Sequence, residues 1–246
     1  MRRSDDKADA VSMYGPDIYT EPDGAPDTLA NLGPLRAMAG VWEGTKGSDL
    51  HPVVEGTERN EFVEHYELQP IDCQTNGPQL FYGLRYHTHI TKPGETETFH
   101  DQVGYWLFEP AAQTVTLTLG IPRAQVLMAS GLAGPDATDF ELTAKVGSEV
   151  NGILSNPFLN EAFRTVSYRI HVTINDDGTW SYEEEGVLQI PGRDELFSHI
   201  DRNTLTRIAL PQLNPLAIAA QQGGTDVDIA NSGLGIGSLR STDSGI

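Results

Sequence analysis

Short alternating segments separated by turn residues recur from Trp42 to Ile208, and this pattern constrains the fold more than any other feature of the chain. The segment Thr114–Leu119 alternates strictly between polar and apolar residues, which is typical of a strand with one buried face. Asp177-Gly178 separates two further segments of this kind and predicts a hairpin turn. No convincing long helical pattern interrupts the series. The sequence therefore predicts an all-β domain, either an antiparallel barrel or a sandwich.

The two ends of the chain differ in composition from this middle region. Residues 1–28 are polar, acidic and interrupted by prolines, and we predict that they form a flexible arm. Residues 209–246 pass into Gly, Ser and Asp without periodicity, which predicts a largely disordered tail with a short helix near residues 216–220. One domain, residues 29–208, lies between them. It begins with a short helical segment, Leu29–Ala39, that is expected to cap the strands.

Charge and cysteine content exclude several classes of protein. The net charge of −19 repels phosphate backbones, and no basic stripe relieves it, so nucleic acid is not an expected partner. Cys73 is the single cysteine, which excludes an intramolecular disulfide and a multi-cysteine zinc site. No segment reaches the roughly 18 apolar residues of a membrane helix, and no secretory signal follows Met1. We expect a cytoplasmic monomer or homodimer that does not bind membranes.

Histidines are the main candidates for chemistry in this chain. His199 lies in the last β segment, and the first and last strands of a closed barrel are neighbours, so its side chain can reach the mouth of the cavity. Neutral imidazole binds iron well, which makes His199 a candidate axial ligand. His87 and His89 share one strand face with Arg85. That face either lines the interior, where the histidines could hold a metal ion, or it faces solvent.

Motifs for nucleophilic or nucleotide chemistry are missing from the sequence. It contains no Gly-x-Ser-x-Gly motif, no phosphate-binding glycine loop and no dinucleotide fingerprint. A hydrolase, a kinase and a dehydrogenase are therefore not indicated. The aromatic residues either fill the core or line a ligand cavity, since the interior of a barrel can serve both purposes.

Residues 32–208 resemble the nitrobindin family, which consists of haem-binding β-barrels similar to fatty-acid-binding proteins and other lipocalin-like folds. One shared motif is the turn Gly40-Val41-Trp42-Glu43-Gly44, and a second is Gly104-Tyr105-Trp106 in a strand that follows an exposed turn. The third is a terminal strand in which a histidine, here His199, precedes Leu205-Thr206-Arg207-Ile208. The order and spacing of these motifs extend over the whole predicted domain.

The resemblance implies a ten-stranded up-and-down barrel that holds a ferric haem b through His199. Members of the family bind nitric oxide and are credited with isomerising peroxynitrite to nitrate, so the chain is either a peroxynitrite isomerase or a haem-binding protein without that activity. His51-Pro52-Val53 stands where the family has Tyr-Pro-Thr beside the haem. The further candidates for contact with the cofactor are His51, Val53, Arg85 and His87. His51 is also a candidate second ligand or distal group.

Two spacings depart from the family pattern. Gly44-Thr45-Lys46-Gly47 places the third glycine of the first motif one residue later, and His199 lies one residue farther from Arg207. A shift of one residue reverses the face of a strand unless a bulge compensates. Three alternatives therefore stay open beside the haem protein: a non-haem carrier of an apolar small ligand, a metal site at His87 and His89, and a barrel filled by aromatic side chains.

Overall fold

Ten antiparallel strands close into a barrel in the computed structural model, which describes residues 14–223. Two short strands, β3 and β9, each pair with one member of the barrel outside the closed ring. The strands are β1 (Gly40–Pro52), β2 (Thr57–Pro70), β3 (Gln74–Asn76), β4 (Gln79–Thr91), β5 (Thr98–Glu109), β6 (Thr114–Ile121), β7 (Gln125–Leu132), β8 (Asp139–Lys145), β9 (Ile153–Ser155), β10 (Arg164–Ile174), β11 (Trp180–Gln189) and β12 (Phe197–Ala209). The helices are α1 (Thr28–Asn31), a 3-10 helix (Gly33–Met38), α2 (Pro157–Ala162) and α3 (Pro215–Gln221).

The ring of strands follows the order of the chain. The first strand, β1, pairs with the last, β12, and also with β2, which in turn pairs with β4. The remaining barrel strands pair consecutively, so each connection joins antiparallel neighbours. Closure leaves no exposed edge in the ring, which removes the unpaired backbone groups of an open sheet. The predicted antiparallel up-and-down barrel of about ten strands is confirmed.

One end of the barrel is closed by the segment that precedes β1. Leu32, Leu35 and Met38, the three apolar positions of the predicted capping segment, are fully buried. The indole nitrogen of Trp42 donates a 2.7 Å hydrogen bond to the Met38 carbonyl. The Arg207 guanidinium lies 4.5 Å from the centre of the Trp42 ring, and this cation–π contact joins the first and last strands.

Aromatic side chains fill this half of the interior. Trp42, Trp106 and Trp180 are almost completely buried. Trp42 and Trp180 meet edge to face with ring centroids 6.2 Å apart, and the Trp106 indole donates to the Tyr66 hydroxyl at 3.0 Å. Because these rings occupy the space near the closed end, room for a ligand has to lie toward the opposite end.

Parts of both predicted tails lie against the barrel. In the predicted N-terminal arm, residues 1–28, the Ala25 amide donates to the Tyr82 hydroxyl at 2.9 Å. Asn214 binds the Pro26 carbonyl and the Asp72 carboxylate, and the helix expected near residues 216–220 follows it as α3. Polar side chains make these contacts, which explains why hydrophobic pattern does not reveal them. Residues 1–13 and 224–246, the outer parts of the predicted tails, lie outside the described residues.

No helix within residues 14–223 is long enough and apolar enough to cross a membrane.

Candidate functional site

His199 lies on the inner face of β12, roughly 20 Å along the strand from Leu205 near the closed end of the barrel. β12 pairs with β11 in unbroken register from Phe197 to Leu205. Side chains alternate between the two faces of a strand, and His199 and Leu205 are separated by an even number of residues. Because Leu205 is fully buried in the core, His199 also faces the interior. No bulge in β12 is needed to turn this imidazole inward.

An irregularity in β1 brings Asp49 to the same interior. The register of β1 against β2 shifts between Gly44 and Gly47, and both of these glycines are buried. A side chain at Gly47 would collide with the Phe62 ring, so the position requires glycine. The displaced third glycine of the first motif therefore marks a β-bulge, after which Gly47 and Asp49 occupy the inner face.

Two histidines contact the carboxylate of Asp49. The Asp49 side chain is only 4% exposed, its Oδ1 lies 2.8 Å from His199 Nε2, and its Oδ2 lies 2.7 Å from His51 Nδ1. The Asp201 carboxylate also lies near this nitrogen, with Oδ2 3.6 Å from His199 Nε2. An ionised carboxylate only accepts hydrogen bonds, so the two histidine nitrogens that face Asp49 both carry protons in this arrangement.

The electrostatics of the pair agree with this geometry. Burial raises the pKa of Asp49, but hydrogen bonds and positive charge from His199 and His51 outweigh burial, and the pKa lies below its ordinary value. Burial lowers the pKa of His199, but Asp49 and Asp201 outweigh burial there, and the pKa lies above its ordinary value. His199 is therefore stabilised as an imidazolium when no ligand occupies its Nε2.

Three carboxyl groups lie side by side in this part of the interior. Asp49, Asp201 and Glu184 are direct partners on the neighbouring strands β1, β12 and β11. Burial is the main cause that raises the pKa of Asp201 to about 8 and of Glu184 to about 7, and the negative charges of their neighbours add to it. We call these three residues the carboxyl row. Near neutral pH, Asp201 and Glu184 are therefore each protonated in part of the molecules.

Glu64 is a separate buried carboxylate that lies nearer the closed end of the barrel than the carboxyl row does. It accepts hydrogen bonds from Thr88 Oγ1 at 2.8 Å, Tyr182 Oη at 2.8 Å and Asn203 Nδ2 at 2.9 Å. Burial raises the pKa of Glu64, and the three donors partly oppose this effect. With its oxygens held by protein donors, Glu64 acts as a structural group of the interior.

Space opens on the inner face beside His199. Gly186 of β11 is the direct partner of His199, and a Cβ added there would meet no described atom within 4 Å beyond its chain neighbours. Burial is the main cause that lowers the pKa of His100, and the positive charge of Arg123, in the turn between β6 and β7, adds to it. The same charge opposes the carboxylates that raise the pKa of His199. The two imidazoles therefore belong to one electrostatic environment at the mouth.

An aromatic pair flanks the turn that carries Arg123. The Asn156 side-chain amide donates to the Arg123 carbonyl at 2.6 Å and anchors the start of α2 beside this turn. Phe158 in α2 and Phe163 pack edge to face with ring centroids 6.3 Å apart, and both remain exposed. The segment from Asn156 to Phe163 thus provides a short helix with an exposed apolar surface.

Arg85 and His87 are not brought to the interior. Both are exposed on the outer face of β4, where His87 Nε2 lies 2.9 Å from Asp101 Oδ2. They border a shallow outer groove of about 320 Å³, which they share with Tyr105. His89 lies on the same outer face, 3.0 Å from Thr98 Oγ1. The sequence did not decide whether these side chains face the interior or solvent. In the structure they face solvent, because Tyr86 and the residues that alternate with them point inward.

The remaining candidates are His51 and Val53. His51 contacts Asp49 at the mouth, as described above, whereas Val53 follows the end of β1 and its carbonyl accepts a hydrogen bond from Arg193. Pattern had not singled out Asp49 and Asp201, although each stands two residues from a candidate histidine in Asp49-Leu50-His51 and His199-Ile200-Asp201. Spacing by two residues on a strand was the signal that could have found them.

The residues at the mouth fit a haem group. A ligand histidine has to face the interior with free space beside it, and His199 opposite Gly186 meets both conditions. Iron binds the unprotonated nitrogen of a neutral imidazole, so ligation through Nε2 requires His199 to release its hydrogen bond to Asp49. Asp49, His199 and Asp201 also offer three ligand atoms that lie within 4.8 Å of one another, a spacing suited to a single metal ion.

Comparison with known proteins identifies similar sequences and folds. A family model described as "THAP4-like, heme-binding beta-barrel domain" matches residues 31–207. The chain also resembles the crystal structure of Rv2717c from M. tuberculosis, with a TM-score of 0.53 and 21% sequence identity. The match covers 75% of this chain and 99% of that one, and at this identity it supports the barrel fold. No curated protein matches the sequence.

Proposed function

Because the chain belongs to the THAP4-like haem-binding β-barrel family, the nitrobindin family, we propose that it binds haem b at the barrel mouth with His199 as the axial ligand. The observation that carries this proposal is the inward direction of His199 beside the open space at Gly186. Membership of a haem-binding family supports the same proposal.

Several side chains would assist this cofactor. Asp49 holds the His199 ring in place through Nε2 before haem arrives, and it gives up that hydrogen bond on ligation. The exposed rings of Phe158 and Phe163 offer apolar surface beside the Arg123 turn, which suits the apolar body of a porphyrin. The partial protonation of Asp201 limits the negative charge at the mouth, which reduces repulsion of the haem propionates.

We further propose nitric oxide binding or peroxynitrite isomerisation as the activity. Ferric haem supplies an iron centre at which nitric oxide binds or peroxynitrite rearranges to nitrate. Asp201 and Glu184 have raised pKa values, and their partial protonation near neutral pH reduces the negative charge that an anionic ligand would meet at the site. A cytoplasmic location and a monomeric or homodimeric state stay predictions.

The alternative of a carrier for an apolar small ligand has less support from the interior. Tryptophan and tyrosine rings fill the half of the barrel near the closed end. The carboxyl row lines the inner surface toward the mouth, and an apolar ligand would cover those groups without offering them a polar contact of its own.

The test is haem titration of the purified apoprotein, followed by its Soret absorption. We expect one haem per chain, and we expect His199→Ala to lose the ligand-dependent Soret band. His87→Ala is the matched control, because His87 also pairs with an aspartate but lies on the outer face; it should bind haem like the wild type. A wild type without a Soret band, or a His199→Ala spectrum identical to the wild type, would reject the proposal.

A further inference from the structure

We propose that Asp49, His199 and Asp201 bind a divalent transition-metal ion when haem is absent, with Zn²⁺ as the representative ion. This site goes beyond the proposed haem function and does not rest on it. The three side chains were not predicted as a group, and the metal site considered from the sequence, at His87 and His89, lies on the outer face of the barrel.

Two neighbouring strands bring the three ligands together. Asp49 in β1 and Asp201 in β12 are direct partners in the β1–β12 ladder, and His199 lies two residues before Asp201 on the same inner face. One carboxylate oxygen of each aspartate and one ring nitrogen of His199 lie within 4.8 Å of one another. Ligand atoms about 2.0–2.2 Å from one zinc ion fall within such a spacing.

His51 completes the surroundings of the site. It binds Asp49 Oδ2 at 2.7 Å and leaves Asp49 Oδ1 directed at His199. A second group that holds a metal ligand in this way fixes its orientation and commonly contributes 10–100-fold in metal affinity. The open space beside Gly186 leaves a fourth coordination position for water. Three protein ligands and one open position are the arrangement of zinc sites that bind exchangeable ligands.

The local charge favours a cation. The carboxyl row places Glu184 beside Asp201 and Asp201 beside Asp49, on three adjacent strands. A divalent ion between two of these carboxylates would relieve their mutual repulsion, which protons or the His199 imidazolium otherwise relieve. One imidazole and two carboxylates are ligands that zinc and other first-row divalent ions accept, whereas Mg²⁺ prefers oxygen alone.

The ion and haem iron would compete for one atom, His199 Nε2. A chain loaded with Zn²⁺ should therefore take up haem more slowly or with lower affinity. The reciprocal effect follows from linkage, since the haem-bound chain should lose Zn²⁺ affinity by the same factor.

The experiment is calorimetric titration of the full-length, metal-free and haem-free protein with ZnCl₂, supported by the visible absorption of bound Co²⁺. We expect one Zn²⁺ per chain and a Co²⁺ spectrum of low coordination number. Asp201→Asn keeps the size of the side chain and should weaken Zn²⁺ binding at least about tenfold, and His51→Ala should weaken it by a similar factor. His87→Ala should leave it unchanged.

Two results would overturn the proposal: the absence of stoichiometric Zn²⁺ and Co²⁺ binding by the wild type, or equal binding by the wild type and Asp201→Asn. Circular dichroism of each variant establishes that it is folded. The haem titration is independent of this test. A chain that binds haem but not Zn²⁺ contradicts the metal site alone, and a chain that binds Zn²⁺ but not haem contradicts the proposed function alone.

Discussion

His199 Nε2 lies 2.8 Å from Asp49 Oδ1 on the neighbouring strand, so the proposed iron ligand already has a partner inside the protein. The contact holds the imidazole in one orientation, and it also raises the pKa of His199 against the opposing effect of burial. Any metal that binds this nitrogen has to displace its proton and break its hydrogen bond to Asp49. Ligand binding at the mouth is therefore expected to depend on pH.

Replacement of Asp49 should make His199 available at lower pH. In Asp49→Asn, the carboxylate charge that raises the pKa of His199 is lost and burial remains, so the pKa should fall. Nuclear magnetic resonance of the imidazole in the apoprotein measures this shift directly, and the pH midpoint of haem uptake should move down with it. Asp101→Asn, which alters the His87 pair on the outer face, is the control. An unchanged His199 pKa in Asp49→Asn would contradict the prediction.

Filling the space beside His199 should block haem without unfolding the barrel. Gly186→Leu places a side chain into the open region of the inner face, whereas Gly120→Leu places one on the outer face beside Val126. We expect Gly186→Leu to lower haem affinity at least about tenfold, which corresponds to a loss of roughly 1.4 kcal/mol of binding free energy. Gly120→Leu should bind haem with the affinity of the wild type. Haem titration monitors both. Equal affinity of Gly186→Leu and the wild type would place the binding site elsewhere.

The stability of the apoprotein should decrease as pH rises from about 4.5, the ordinary pKa of a glutamate, to about 8. A carboxyl group with a raised pKa binds more protons in the folded state, so its contribution is present at low pH and is lost as pH rises toward the folded-state pKa. The pKa of Glu184 is raised to about 7 and that of Asp201 to about 8, and the raised pKa of His199 acts in the same direction.

Glu184→Gln should flatten this decrease, because glutamine cannot ionise. We expect its melting temperature at pH 8 to rise relative to the wild type, with roughly 2–4 °C for each 1 kcal/mol recovered. Glu183→Gln is the control, since Arg169 and Arg202 hold the pKa of Glu183 below its ordinary value and it stays mostly ionised throughout this range. A pH profile of Glu184→Gln parallel to that of the wild type would contradict the assignment. Thermal unfolding followed by circular dichroism provides the measurement.

Removal of Glu64 should destabilise the folded barrel. Glu64→Ala leaves the donors of Thr88, Tyr182 and Asn203 buried without their acceptor. Each unsatisfied donor costs about 1–3 kcal/mol, so we expect the free energy of unfolding to fall by at least about 3 kcal/mol. Chemical denaturation measures the change, and the exposed Glu61 on the same strand provides the control Glu61→Ala. A loss below about 1 kcal/mol would mean that the donors find other partners.

Sequence pattern predicted the fold because the signals of a barrel are local. Alternation over Thr114–Leu119 and the Asp177-Gly178 turn each follow from neighbouring residues, and both occur as expected in β6 and between β10 and β11. The β1 bulge also has a local signal, because Gly47 lies one residue later than the third glycine of the family motif. Local signals of this kind survive in a single sequence, since each depends on few residues.

The face and the partners of the candidate residues were decided by the tertiary structure. Alternation along a strand shows that Arg85 and His87 share a face, but it does not show whether that face is the inner or the outer one. In the closed barrel both side chains lie on the outer face. It also placed His199 inward, although the shifted spacing had left that direction open. Asp49 and His199 are 150 residues apart, and only the pairing of the first strand with the last brings their atoms into contact. The sequence by itself determined a barrel with a histidine on its last strand. The closure of that barrel determined that the histidine meets a buried carboxylate, because contacts across a ring depend on register between distant segments rather than on either segment alone.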